Sequence, residues 1–230
     1  MIWAFVAFLV VYGNAKAMVL DPSPAGSWGG VLAGVALVGL LAAWGRALGL
    51  TAAEMGIALD DRGMVVRSLG WGALVGVLCG GSMVVIAAFG AVPPDRPEAR
   101  VEWSALLRRV MVFVPFDTVL PEELAFRGLL LGWLLRAGAP EGGGQEDCRA
   151  RVGWAVLVAA VPFVLWHLAI AVREMSELRL GELLVKLGGY YVGGVLFGYL
   201  RVATGHLAGS MVAHWLFNAL GMVGVRAAAG

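Results

Sequence analysis

Charge is scarce in this chain. Asp, Glu, Lys and Arg make up 14% of its 230 residues, against about 25% in a typical soluble domain. With 60% apolar residues beside them, these few ionisable groups cannot cover a water-facing surface, so the chain reads as an integral membrane protein. An excess of either sign is also missing. A net charge of +1 offers no basic footprint for a nucleic acid, and none is expected as a partner. Cysteine is nearly absent. Cys79 sits in an apolar run and Cys148 in a polar one, so they form neither a metal spacing nor an expected disulfide. Histidine occurs three times, at His167, His206 and His214, and each must be weighed singly.

Long apolar runs are abundant. They are continuous rather than alternating, and only helices and closed barrels satisfy their backbone in lipid, so the runs predict helices. Seven regions qualify: Ile2 to about Leu20, Trp28–Leu48, Leu69–Val92, the pair Trp103–Leu120 and Glu122–Leu135, Val152–Val172, Leu183–Thr204 and Leu207–Val225. The expected architecture is an all-α, multi-pass bundle of about seven spans in one membrane-embedded domain, 1–230. The first run carries Asn14 and Lys16, which weaken it as a span. It lacks a basic flank and a clear small-residue cleavage site, so it is expected to be retained rather than removed as a signal peptide. Asp21-Pro22-Ser23-Pro24 and Pro93-Pro94-Asp95-Arg96-Pro97 are hard stops, Thr51–Arg67 is a loop or interfacial helix, and Ala137–Arg151 is a polar, Gly-rich loop. Glycine is plentiful at 34 residues. Gly72, Gly76 and Gly80 form a small-residue ridge suited to close helix contact. Pro115 and Pro121 interrupt the fourth region, which is either one kinked helix or two helices meeting at Pro121.

Polar groups inside such runs are costly, so each is a candidate for function. Glu122, Glu123 and Arg127 lie in the fourth region. On a helix Glu123 and Arg127 face each other at i,i+4, and Glu122 is turned away by about 100°. Arg127 is therefore expected to neutralise Glu123 and leave Glu122 free. The plain alternative is an ordinary Pro-Glu-Glu helix start at the membrane surface with an exposed ion pair. In Phe163-Val164-Leu165-Trp166-His167, the histidine shares a helix face with Phe163. It is either functional or an interhelical hydrogen-bonder. In His214-Trp215-Leu216-Phe217-Asn218, His214 and Asn218 share a face that must look into the bundle, again for structure or for function. His206, after Thr204-Gly205, is expected to be interfacial.

A carboxylate and two histidines on three helices are the groups needed to turn water against a peptide bond. The carboxylate takes the proton, one histidine orients the water, and a second histidine with an amide can meet the oxyanion. Glu122, His167 and His214 could instead hold a divalent metal such as zinc with one open position. No His-Glu-x-x-His occurs, nor Gly-x-Ser-Gly, nor Gly-x-Gly-Asp, so zincin, serine and aspartyl intramembrane proteolysis lack their residues.

The ordered set Glu122-Glu123-x-x-x-Arg127, Phe163-x-x-x-His167 and His214-x-x-x-Asn218 resembles the CAAX-prenyl-protease and bacteriocin-processing (CPBP, Abi) family of intramembrane endopeptidases, with Thr204-Gly205 before the last helix also similar. The resemblance lies within 103–225. It implies Glu122 as the base, His167 as its partner on the attacking water, and His214 and Asn218 as oxyanion stabilisers. Glu123 and Arg127 would hold the helix arrangement, and Phe163 would support the site. It leaves both a metal-free glutamate mechanism and a metal-dependent one. The metal-free reading is preferred, because a metal leaves Asn218 idle. The implied substrate is a membrane-associated protein or peptide cut near the bilayer, at a tail or leader. The short, Ala/Gly/Arg-rich chain points to a bacterial cytoplasmic membrane. Two other readings compete: a non-catalytic immunity or scaffold protein, and a small proton-coupled transporter. The latter is disfavoured because the two halves show no inverted repeat.

Overall fold

The computed structural model describes residues 1–19, 26–89, 97–138, 145–175 and 177–229. Among these every regular element is helical. In chain order they are α1 (Ile2–Val19), α2 (Trp28–Ala47), α3 (Arg62–Ala88), α4 (103–137), α5 (Gln145–Trp166), α6 (Leu168–Arg173), α7 (Leu180–Thr204) and α8 (Leu207–Ala228), with a short 3-10 turn at Pro97–Arg100. Six of them are long and apolar enough to cross a membrane: Ile2–Val19, Trp28–Ala47, Arg62–Ala88, Cys148–Trp166, Leu180–Thr204 and Leu207–Ala228. With the interrupted α4, this is the expected all-α multi-pass bundle. The proposed stops at Asp21–Pro24 and Pro93–Arg96 and the Gly-rich part of the Ala137–Arg151 loop lie outside the described residues. The third span begins earlier than its apolar run. Asp61 accepts the Met64 N–H at 2.9 Å and starts α3 at Arg62, so Thr51–Arg67 is a turn followed by helix.

Lipid offers apolar side chains no reason to leave it, so helices in a bilayer are held by close packing and by polar contacts. The α3 ridge supplies the first. Gly72 lies against the Gly209 carbonyl of α8, and a Cβ added at Gly80 would stand 2.8 Å from the Leu216 carbonyl. Ser68, one turn before the ridge, supplies the second. Its hydroxyl accepts the Gly209 N–H at 2.8 Å and lies 3.0 Å from the His206 carbonyl. This fixes the turn where Gly205, at φ +76°, ends α7. The opposite side of the bundle is a core of Phe5 and Leu9 (α1), Leu37 and Leu41 (α2), Phe126 and Leu129 (α4) and Phe163 and Trp166 (α5).

Helix α4 runs at the centre and resolves the question of Pro115 and Pro121. It is one continuous helix whose turns widen to π geometry over Arg109–Val119 and Leu124–Leu130, with α-turns at Trp103–Arg108, Leu120–Glu123 and Leu131–Ala137. Each proline lacks the N–H its preceding turn expects, and other helices answer the exposed carbonyls. One turn before Pro115, the Val110 carbonyl accepts the indole N–H of Trp215 at 2.9 Å. One turn before Pro121, the Asp117 carbonyl accepts from Lys16 Nζ at 2.6 Å, and the Phe116 carbonyl lies against Gly34 of α2. Lys16 also pairs with the Asp117 carboxylate at 2.7 Å. The charge that weakened the first run is thus a contact between α1 and α4.

Candidate active site

The short α-turn after Pro121 carries Glu122 and Glu123 in the middle of α4, where they are 3% and 0% exposed. Arg127, one turn on, is 2% exposed. These values overturn the plain alternative of a surface helix start with an exposed ion pair. Ionised groups this deep require partners.

Glu123 has two. Arg127 Nη1 donates to its Oε1 at 3.0 Å, and His214 Nδ1 lies 2.9 Å from the same oxygen. A carboxylate paired with an arginine only accepts, so His214 presents Nδ1–H to it. The buried Ser210 hydroxyl also approaches Glu123, and aromatic rings pack on the cluster. The Arg127 guanidinium lies 4.0 Å from the Phe163 ring centroid, and Phe197 stacks on His214 at 5.2 Å. Phe163 is therefore in contact with the charge cluster as well as with His167.

Glu122 is kept apart from this cluster. Its Oε1 accepts the Trp166 indole N–H at 3.2 Å, and its Oε2 faces His167 Nε2 at 3.6 Å. His167 Nδ1 lies 2.8 Å from the Phe163 carbonyl. A carbonyl can only accept, so Nδ1 carries a proton, and in the neutral ring Nε2 then turns its lone pair towards Glu122. Two acceptors then face one another, and Oε2 has no hydrogen-bond partner among the described residues. Tyr190 stacks on the His167 ring at 4.3 Å and Phe163 meets it edge-on at 4.5 Å, so the ring plane is held from both sides.

Asn218 lies one turn beyond His214 on α8. It is half-buried, and its side chain makes no hydrogen bond among the described residues. The expected residues thus form two adjoining pairs, Glu122 with His167 and Glu123 with His214, rather than three groups around one point. Among the described residues no three His, Cys, Asp or Glu side chains gather as metal ligands. The Nδ1 atoms of His167 and His214 are engaged by the Phe163 carbonyl and by Glu123, so Nε2 is the nitrogen that each ring would offer to a metal beside Glu122. His206 lies in the turn between the α7 and α8 spans and is buried there. It caps α8 by accepting the Ala208 N–H at 3.0 Å, and its ring is held below the usual histidine range by burial and by Arg201.

The family profile of type II CAAX prenyl endopeptidases, Rce1-like, matches residues 102–220. The chain belongs to this family. It is an integral membrane protease of the CAAX type. No curated protein and no solved structure matches the chain. The Rce1-like match takes in α4 to α8 up to Leu220 and leaves α1 to α3 outside it.

Inside the match, sequence reasoning passed over Trp166, although a tryptophan N–H in an apolar helix must find an acceptor and this one stands next to His167. It also passed over Asp117, a carboxylate in the same apolar region as Glu122, and Tyr190. Outside the match it noted Asn14 and Lys16 only as flaws in a span.

Proposed function

We infer that this protein is an intramembrane endopeptidase that hydrolyses a peptide bond with water activated by Glu122. The observation that carries the reading is the facing pair Glu122 Oε2 and His167 Nε2, 3.6 Å apart and both acceptors. A water molecule has two protons to offer such a pair, and a base must lie within hydrogen-bond reach of the proton it takes. Glu122 takes one proton and His167 holds the other, so the oxygen lone pair is free to attack the scissile carbonyl carbon. The carbonyl π electrons move to oxygen. That oxyanion is met by the Asn218 side-chain N–H and by the His214 ring, which Glu123 orients through Nδ1. When the intermediate collapses, the C–N bond breaks and Glu122 returns its proton to the departing amine. One water is consumed, and one acid and one amine are released. Arg127 balances the charge of Glu123 and keeps that carboxylate out of the proton transfer.

The substrate class in this reading is a membrane-associated protein or peptide with an apolar tail or leader that reaches the buried site. In this reading the enzyme works in a bacterial cytoplasmic membrane, and the Ala/Gly/Arg-rich composition supports that setting. The test compares protein termini in membranes from cells carrying the natural protein and cells carrying Glu122→Gln at equal expression. New termini confined to the natural protein are expected, since loss of a general base lowers turnover about 100- to 10,000-fold. Identical termini, with the biological effect kept in both, would replace catalysis by an immunity or scaffold role.

A further inference from the structure

His167 does not sit in regular helix. Helix α5 ends at Trp166 and α6 resumes at Leu168, with His167 at φ −92° and ψ 3°. Its own N–H turns tightly to the Val164 carbonyl at 3.0 Å. In an unbroken α-helix the Ala169 N–H would bond the Leu165 carbonyl. Here the side-chain amide of Asn14, from α1, stands between the two. Asn14 Oδ1 accepts the Ala169 N–H at 2.6 Å, and Asn14 Nδ2 donates to the Leu165 carbonyl at 2.8 Å. The second proton of Nδ2 goes to the Val10 carbonyl at 2.7 Å. A group inserted into the i→i−4 ladder opens a helix at that point. A primary amide suits the place, because it replaces both halves of the missing bond and satisfies each backbone group that the break frees.

The residues beside Asn14 grip the other partner of Glu122. Gly13 lies so close to the Trp166 ring that a Cβ would collide with it, and the Tyr12 ring stands 5.5 Å from that of Trp166. The triplet Tyr12-Gly13-Asn14 therefore backs both Trp166, which donates to Glu122, and His167, which faces it.

We propose that Asn14 is a positioning residue for His167. Its amide wedge holds the helix open so that the imidazole bonds Phe163 through Nδ1 and turns Nε2 to Glu122. The wedge comes from α1, outside the segment that matches the family. The kinetic part of the proposal rests on the protease reading; the structural part stands without it.

The experiment uses the full chain in detergent, labelled with 15N histidine, as the natural protein, Asn14→Ala and Asn14→Asp. The His167 signals are assigned with His167→Gln. Two readouts are taken: the imidazole 15N spectrum, and cleavage of a peptide spanning a terminus that the natural protein generates. With the wedge removed, Ala169 and Leu165 can pair, so the Nδ1–H signature of His167 should shift while His206 and His214 keep theirs. Turnover should fall by about 100-fold, as a displacement of about 1 Å in a catalytic group costs, with KM little changed. Asn14→Asp keeps the acceptor for Ala169 and loses the donor to Leu165, so it should shift the same signal. In a His167→Ala background, adding Asn14→Ala should cost nothing more. An unmoved His167 signal overturns the proposal, whatever happens to cleavage. So does movement of all three histidines in both variants, which would make Asn14 a general folding residue. A shifted His167 signal in a natural protein that cleaves nothing keeps the wedge and removes the protease reading instead.

Discussion

The Trp166 indole N–H binds Oε1 of Glu122 at 3.2 Å, and this leaves Oε2 as the oxygen that faces His167. One tryptophan thus divides the carboxylate into an anchored side and a side that faces His167. Trp166→Phe keeps a ring against Phe126 and Tyr12 but removes the donor. Losing a hydrogen bond to a charged group costs about 1.5–3 kcal/mol, so turnover should drop roughly 10- to 100-fold. Steady-state kinetics on a peptide cut by the natural protein check this. Full activity in Trp166→Phe would detach the indole from the base.

Lys16 and Asp117 form a second, largely shielded ion pair, with side chains 12% and 14% exposed. Lys16→Met strands the carboxylate and should lower stability by about 3–5 kcal/mol. The double variant Lys16→Met with Asp117→Asn should recover most of that loss. Recovery stays short of complete, because the Asp117 carbonyl still lacks its 2.6 Å donor. Unfolding midpoints in a single detergent measure both; a double variant no better than Lys16→Met would show that the ion pair is not what holds α1 to α4.

Close approach of α2 to α4 depends on Gly34. A Cβ there would collide with the Phe116 carbonyl on the turn before Pro121, whereas one at Gly39 would meet nothing within 4 Å. Gly34→Ala should therefore displace the Pro121 turn and reduce both stability and turnover, while Gly39→Ala should leave both unchanged. Overpacking of this kind costs about 1–3 kcal/mol. Equal behaviour of the two variants in thermal unfolding would contradict it.

At the far end of α4 a pH dependence is expected. Glu54 Oε2 accepts the Thr51 N–H at 2.7 Å and the Thr51 hydroxyl at 2.9 Å, and Arg136 lies 3.9 Å from Oε1. These contacts hold the Glu54 carboxyl below the usual range, the Thr51 N–H most of all. A depressed carboxylate stabilises the fold above its unfolded value, and the contribution disappears as pH falls through its folded value. Glu54→Gln should thus be less stable than the natural protein near neutral pH and equal to it in acid. A difference in unfolding midpoint that persisted at low pH would mean that charge at Glu54 plays no part.

Much of the bundle was legible because lipid enforces simple rules. Continuous apolar runs had to be helices, and the Gly72, Gly76 and Gly80 ridge had to meet a neighbour. Within one helix the i,i+4 rule sufficed to pair Glu123 with Arg127 and to set Glu122 apart. Pairings between helices were not legible in the same way. That His214 turns to Glu123, or that Asn14 enters the α5–α6 break, depends on how helices dock, which no periodicity encodes. The widened turns of α4 were hidden for a related reason. Pro115 and Pro121 announce a disturbance, but its form was decided by Trp215 and Lys16, which take up the exposed carbonyls.

The Asn14 wedge also sets an order of events during synthesis. Asn14 is made 151 positions before Leu165, whose carbonyl it binds. Chains are made and begin to fold from the N-terminus, so α1 must wait with an unmatched amide until α5 is in place. Before that, neither the backbone break nor the His167 ring has its support. The nascent protein therefore carries Glu122 into the membrane before His167 is made, and the two side chains face one another with full support only once α1 has met the α5–α6 break.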